Sequence, residues 1–253
     1  MKQVILTILG ILILISGCTS IEVPNEYSYK IIQTRYFDIA SWQKITSQNS
    51  FYKIYIEGDG HAFNAHGLPT SDPTPKGTLV RQLAFGDKNA NVIYLARPCQ
   101  YSKNSLCDQR YWTTARFSKE VIESEYESIK SLVGGNDVIL IGFSGGGLVA
   151  SLIAATKNDI KVKKVVTIAG NLDHRAWAKH HHLLMLTDSM NLKDFKAQFA
   201  KIPQLHYVGE KDTIVPAAIT KHFINDDNLL IKVPNASHND GWQGIYQKIW
   251  QEQ

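Results

Sequence analysis

Three side chains have the types and the order needed for nucleophilic catalysis: Ser144, Asp212 and His238. A serine hydroxyl alone is a poor nucleophile. It needs an imidazole to take its proton and a carboxylate to orient that imidazole. Ser144 is the centre of Gly142-Phe143-Ser144-Gly145-Gly146, a G-x-S-x-G pentapeptide. With Gly and Ser each near 7% of residues, such a pentapeptide arises by chance in roughly one chain of this length in ten. Its setting carries more weight. Val138 to Ile141 reads as a strand buried on both faces, and Gly147 to Ala155 as a deeply packed helix of small and apolar residues. Strand, turn and helix in that order lift the serine onto a strained corner above a sheet. The glycines two positions either side leave room where a Cβ would collide.

Asp212 and His238 occupy matching places further along. Gly209-Glu210-Lys211-Asp212-Thr213-Ile214-Val215-Pro216 sets Asp212 in a tight turn just past a strand. Pro234-Asn235-Ala236-Ser237-His238-Asn239-Asp240 sets His238 past the final strand. Loops at the carboxyl ends of parallel strands share one edge of the sheet, where the three side chains can converge. Asp173, after the preceding strand, is the rival for the acid. Glu57 reads as a loop or supporting group and Asp240 as a helix cap. His61 and His66 read as hydrogen-bonding groups of their own loop. His180-His181-His182 invites a metal reading, but adjacent helical residues point in different directions and no carboxylate or cysteine stands at ligand spacing. No metal or cofactor is expected.

The elements that must position these groups follow from composition and pattern. The chain has 253 residues, 44% hydrophobic and 20% charged, enough for one sizeable core. The net charge of +4 is scattered, which argues against a nucleic-acid surface. One or two opening strands are expected within Tyr29–Ile39, then strands over Phe51–Ile56, Asn91–Ala96, Lys163–Ala169, Leu205–Gly209 and Leu229–Val233. Helices are expected near Leu79–Phe85, over Ser118–Val133 with Ser118 as cap and Gly134-Gly135 as stop, over Pro216–Phe223, and over Gly241–Gln253. Strands separated by helices imply an α/β fold with a mostly parallel, doubly wound sheet covered on both faces. Asn171–Ala200, with its aromatics and three histidines, reads as a lid-like insertion.

Residues 1–17 have the anatomy of a secretory signal peptide: Lys2, a short apolar run from Val4 to Ile15, then small residues before Cys18. As a helix the run would span about 18 Å, short of roughly 30 Å of bilayer hydrocarbon. Residues 18–28 read as a tether to a domain over 29–253. In an oxidising compartment the even pair Cys99 and Cys107 is expected to form a disulfide.

Two resemblances follow. Ile15-Ser16-Gly17-Cys18 resembles the bacterial lipobox, which implies cleavage before Cys18, lipidation of that cysteine and membrane attachment through it. Thr19 in place of aspartate would, by analogy with enteric lipoproteins, favour the outer membrane facing the periplasm. Over about residues 29–253 the chain resembles the α/β hydrolases, whose three catalytic signatures match the segments around Ser144, Asp212 and His238 in order. The resemblance implies Ser144 as nucleophile, His238 as general base then acid, and Asp212 as orienting acid. It also implies an oxyanion hole from the N–H of Gly145 and one from the Glu57–Gly60 loop, Asp59 first and Gly60 second. Glu57 stands where the family commonly has His before Gly. The expected activity is hydrolysis of a carboxylic ester or related acyl compound through an acyl-enzyme, on a small-molecule substrate. An acyltransferase with the same triad, and a non-catalytic envelope lipoprotein that binds a partner, are the alternatives.

Overall fold

The computed structural model describes residues 21–224 and 226–253, so the lipobox-like segment and Cys18 lie outside the described residues. The described residues build an eight-stranded sheet in the order β1-β2-β4-β3-β5-β6-β7-β8. The strands are β1 (Ser28–Gln33), β2 (Asp38–Ile45), β3 (Tyr52–Ile56), β4 (Asn91–Leu95), β5 (Asp137–Phe143), β6 (Lys161–Ile168), β7 (Gln204–Gly209) and β8 (Leu230–Val233). Pairing is antiparallel through β1, β2 and β4 and parallel from β4 to β8.

Helices cover both faces because the inner strands are apolar on both. Ile54, Ile56, Ile93, Leu95, Val138 and Leu140 join a core with α2 (Lys119–Val133) and α3 (Gly145–Thr156). Tyr55, Val92, Tyr94, Ile139 and Ile141 join a second core with α1 (Leu79–Gly86) and α7 (Tyr246–Trp250). This is the period-two alternation of strand side chains feeding two layers. α2 starts at Ser118, whose Oγ accepts from the N–H of Val121, and stops at Gly134 in the left-handed region at φ 55°. α3 is buried from Gly145 to Ala155, as its small residues allow.

The strand order reverses at β3. β4 lies on one side of β3 and β5 on the other, which opens a crevice beyond their carboxyl ends. The loops after β3 and β5 meet there.

Several elements differ from the sequence reading. β2 continues to Ile45, because Ser41, Gln43 and Lys44 are buried and hide the alternation that marks a strand. The closing helix is confined to Tyr246–Trp250 after a 3₁₀ turn over Gln243–Ile245; Gly241, at φ 86°, and Gly244 weaken its expected first turns. The 171–200 excursion contains α4 (His174–His180), a 3₁₀ turn and α5 (Lys196–Phe199), and Ala178, Leu192 and Phe199 anchor it in the core. The segment read as a tether packs against the body: Ile21 and Tyr27 join the α1–α7 core, and the Tyr27 hydroxyl donates to the carbonyl of Ala84 at 2.6 Å. α6 (Ala217–Ile224) completes the helices. Among the described residues no helix is long and apolar enough to cross a membrane.

Candidate active site

Ser144 sits between β5 and α3 at φ 51°, ψ −119°, a backbone conformation that L-residues rarely adopt. The flanking glycines make the corner sterically feasible. A Cβ on Gly142 would stand 2.3 Å from the carbonyl oxygen of Gly146, and one on Gly146 would stand 2.4 Å from that of Ile56. The corner is tied to the sheet through the Ser144 N–H, which donates to Ile168 at 2.9 Å.

His238 comes from the loop after β8. Its Nε2 lies 3.0 Å from Ser144 Oγ, and its Nδ1 lies 2.9 Å from Asp212 Oδ2. A carboxylate only accepts, so Nδ1 carries the proton and Nε2 accepts from the hydroxyl. The Trp242 indole donates to the His238 carbonyl at 3.1 Å and holds the loop from behind, while the Phe143 ring packs 5.1 Å from the imidazole. The Asp212 side chain is fully buried, and its Oδ1 accepts from the N–H groups of Ile214 and Val215 at 2.8 and 2.9 Å. One carboxylate oxygen is thus fixed by backbone and the other faces the imidazole. The acid and histidine loops are also joined directly, Lys211 N–H to the Ala236 carbonyl at 2.8 Å. The structure therefore brings Ser144, His238 and Asp212 together on the carboxyl rim of the sheet.

Asp173 is engaged elsewhere. Its Oδ1 caps α4 by accepting from the N–H groups of Arg175 and Ala176, and it also accepts from Asn191 Nδ2 at 3.0 Å.

The loop after β3 faces the serine closely: a Cβ on Gly58 would stand 3.4 Å from Ser144 Cβ. Three of its N–H groups are committed, Glu57 to Leu95, Gly58 to Glu57 Oε1, and His61 to Pro73. Among the described residues the N–H groups of Asp59 and Gly60 make no hydrogen bond, and Gly145 opens α3, where an N–H has no partner within the helix. Gly60, at φ 65°, is turned toward Pro73 and Gln100. Glu57 is buried under the loop, its Oε2 accepting from Tyr94 at 2.7 Å, and burial pushes its carboxyl pKa up.

Two functional candidates escaped the sequence reading. Arg97 and Arg116, both nearly buried, reach the Asp59 carboxylate at 3.5 and 3.1 Å. The Arg116 guanidinium lies 5.2 Å over the Trp177 ring of α4 and 6.0 Å over Phe63. Trp177 Nε1 then donates to the Ile214 carbonyl at 2.7 Å, and His181 Nε2 lies 2.9 Å from the same oxygen. The 171–200 segment thus bridges the loop after β3, through Arg116 and Asp59, and the loop after β7. Its sequence signals were the aromatics and the three consecutive histidines His180–His182, neither of which points to Arg116 or Ile214. A disulfide joins Cys99 and Cys107, and Gln100 within its loop donates Nε2 to the Gly58 carbonyl at 3.0 Å. No group of three His, Cys, Asp or Glu arranged to hold a metal occurs among the described residues.

A largely parallel, doubly covered sheet carrying a serine on a strand-to-helix corner defines an α/β-hydrolase fold. Solved structures agree in fold. Est1E from Butyrivibrio proteoclasticus superposes with a TM-score of 0.59 at 15% identity, covering 88% of this chain and 94% of its own. The Pyrococcus furiosus esterase Pf2001 gives 0.59 at 16% identity over 89% and 87%. A predicted CIB-like hydrolase from Thermoplasma acidophilum gives 0.57 at 16% over 89% and 94%. No curated protein matches the sequence. Within that fold the chain belongs to the serine hydrolase (FSH1) family, whose model matches residues 83–231, more than half of the chain. The match includes Ser144 and Asp212 and ends before His238.

Proposed function

We propose that this serine hydrolase cleaves a carboxylic ester through an acyl-enzyme on Ser144. The observation that carries the reading is the relay from Ser144 Oγ to His238 Nε2 at 3.0 Å and from His238 Nδ1 to Asp212 Oδ2 at 2.9 Å. His238 takes the hydroxyl proton as Ser144 Oγ bonds to the ester carbonyl carbon, and Asp212 stabilises the resulting imidazolium. The tetrahedral oxyanion is held by the N–H of Gly145 and that of Asp59, with Gly60 as the second choice. As the intermediate collapses, His238 returns the proton to the leaving alkoxide, which departs as an alcohol. Water, deprotonated by His238, then attacks the acyl-serine, and His238 returns that proton to Ser144 Oγ as the acid departs. Each step uses groups of the chain and water. An ester is chosen over an amide because the neighbour Pf2001 is an esterase by name and Est1E is described with ferulic acid, a carboxylic acid, bound; a neighbour described as a puromycin-hydrolyzing peptidase makes amides the second substrate class to test.

A fluorophosphonate probe and a panel of p-nitrophenyl esters of increasing acyl length test the reading. Labelling and turnover that both vanish in Ser144→Ala support it. Folded wild-type protein that neither labels nor cleaves any ester refutes it.

The lipobox-like Ile15–Cys18 supports attachment of the chain to a bilayer through a lipidated Cys18, with the outer membrane facing the periplasm as the site. Tyr27 packs beside the carboxyl end of α1, its hydroxyl on the Ala84 carbonyl and its ring 4.8 Å from that of Phe85. Intact mass of detergent-extracted protein tests the anchor: acylated Cys18 as the first residue supports it, and an unmodified N-terminus rejects it.

A further inference from the structure

Donating an N–H to an oxyanion requires nothing of the Asp59 side chain, yet that carboxylate occupies a defined seat. Its Oδ1 lies 2.0 Å from where a Cβ on Gly145 would stand, so any side chain at the position after the nucleophile would displace it. Oδ2 is 3.1 Å from Arg116 Nη1, and Oδ1 is 3.5 Å from Arg97 Nη1. Arg97 is 4% exposed and Arg116 6%, so both guanidiniums are fixed by the body of the protein. Arg97 is backed by Glu125, whose Oε1 lies 3.5 Å from Arg97 Nε, and by the Phe117 ring. Arg116 is packed between Trp177 and Phe63.

A carboxylate beside a forming oxyanion opposes the reaction if left bare, because like charges repel strongly in a partly buried site. Here two guanidiniums face it. The same contacts pin the middle of Gly58-Asp59-Gly60, a sequence whose glycines otherwise leave the backbone free to move. We infer that Asp59 is a positioning residue of the oxyanion hole: gripped by Arg97 and Arg116 and seated in the space that Gly145 leaves open, its side chain fixes where its own N–H points above Ser144. The inference rests on the hydrolase reading above and adds to it a reason for glycine at position 145, which the turn alone does not demand. It also gives the buried arginines a task in the reaction. An N–H misplaced by about 1 Å costs on the order of 100-fold in rate. The loss falls on kcat, since the donor matters most when charge has developed on oxygen.

Steady-state kinetics on one p-nitrophenyl ester, for wild type, Asp59→Asn, Asp59→Ala, Gly145→Ala and the Asp59→Ala/Gly145→Ala double variant, test the inference. Circular dichroism and melting temperature confirm that each variant is folded. Asp59→Asn keeps the volume and loses the ion pairs; its kcat is expected to fall about 10- to 100-fold with KM within about threefold of wild type. Gly145→Ala is expected to cost a similar factor by evicting the carboxylate, and to cost little more once Asp59 is already alanine, because the seat is then empty. Wild-type kcat in Asp59→Asn would overturn the inference. So would a loss confined to KM, which would make Asp59 a substrate-binding group, or independent, multiplying losses in the double variant. Those outcomes leave the hydrolase reading standing. Only a wild-type protein without turnover or labelling at Ser144 removes both.

Discussion

Replacing Cys107 by serine opens the Cys99–Cys107 bridge, whose partners are 8 positions apart. Closing a loop of that length removes roughly 8 cal/mol/K from the unfolded chain, or about 2.5 kcal/mol at 25 °C. A domain of this size unfolds with about 2.1 cal/mol/K per residue, so the lost 2.5 kcal/mol corresponds to a melting temperature about 5 °C lower. The freed Cys99 thiol stays in an apolar, fully buried site and adds little cost of its own. A catalytic consequence follows from the same loop. Gln100 donates to the Gly58 carbonyl and accepts from the Arg97 N–H, so slackening it loosens the Glu57–Gly60 loop and the arginine that grips it together. Thermal scans by circular dichroism would compare Cys107→Ser with wild type in the presence and absence of a reductant. The variant and the reduced wild type should melt together, about 5 °C below the oxidised protein, and kcat should fall several-fold. A melting temperature unchanged within a degree would refute the reasoning that this short covalent loop constrains the unfolded chain.

Asp212→Asn should lower kcat about 10⁴-fold by giving His238 the wrong tautomer, whereas Asp173→Asn, which can still cap α4, should leave it nearly unchanged; ester kinetics on the two variants would separate the roles, and the reverse pattern would exchange them. Gly142→Ala drives a Cβ to 2.3 Å from a backbone oxygen that cannot move aside, so soluble yield and melting temperature should both drop sharply. His206 is buried between Thr167 Oγ1 and Gln204 Oε1, and burial pushes its pKa down to about 3. The unfolded chain binds that proton near pH 6.5 and the folded protein only near pH 3. Stability is therefore lost as pH falls between those values, by up to about 1.4 kcal/mol per pH unit. Urea titrations at pH 7 and pH 5 should show a smaller acid loss in His206→Asn than in wild type.

The parts of the fold legible in the sequence were those with strong local signals. β3, β4 and β5 announce themselves by runs rich in β-branched, aromatic and other apolar residues, and α2 by its serine cap and glycine stop. The corner at Ser144 was readable because its strained backbone demands glycines at fixed offsets, and the loops that carry Asp212 and His238 because they follow β7 and β8. β2 was missed past Ile39 because its buried polar residues satisfy partners on other elements, such as Lys44 Nζ with the Asp87 carbonyl, and so resemble surface positions in the sequence. Arg97 and Arg116 were invisible for a related reason. Nothing adjacent in sequence marks them, and their meaning lies in a carboxylate some 40 and 60 positions away. The contacts of the 171–200 excursion with Arg116 and Ile214 join residues far apart in the chain and leave no local mark in the sequence.

The most direct test of the central claim is intact-protein mass spectrometry on acid-quenched reactions with a p-nitrophenyl ester, followed by peptide mapping. The account predicts a single acyl adduct per chain, mapped to Ser144, absent from Ser144→Ala and accumulating far more slowly in His238→Ala. Continued ester turnover by Ser144→Ala at the wild-type rate, or an adduct on a different residue, would contradict it.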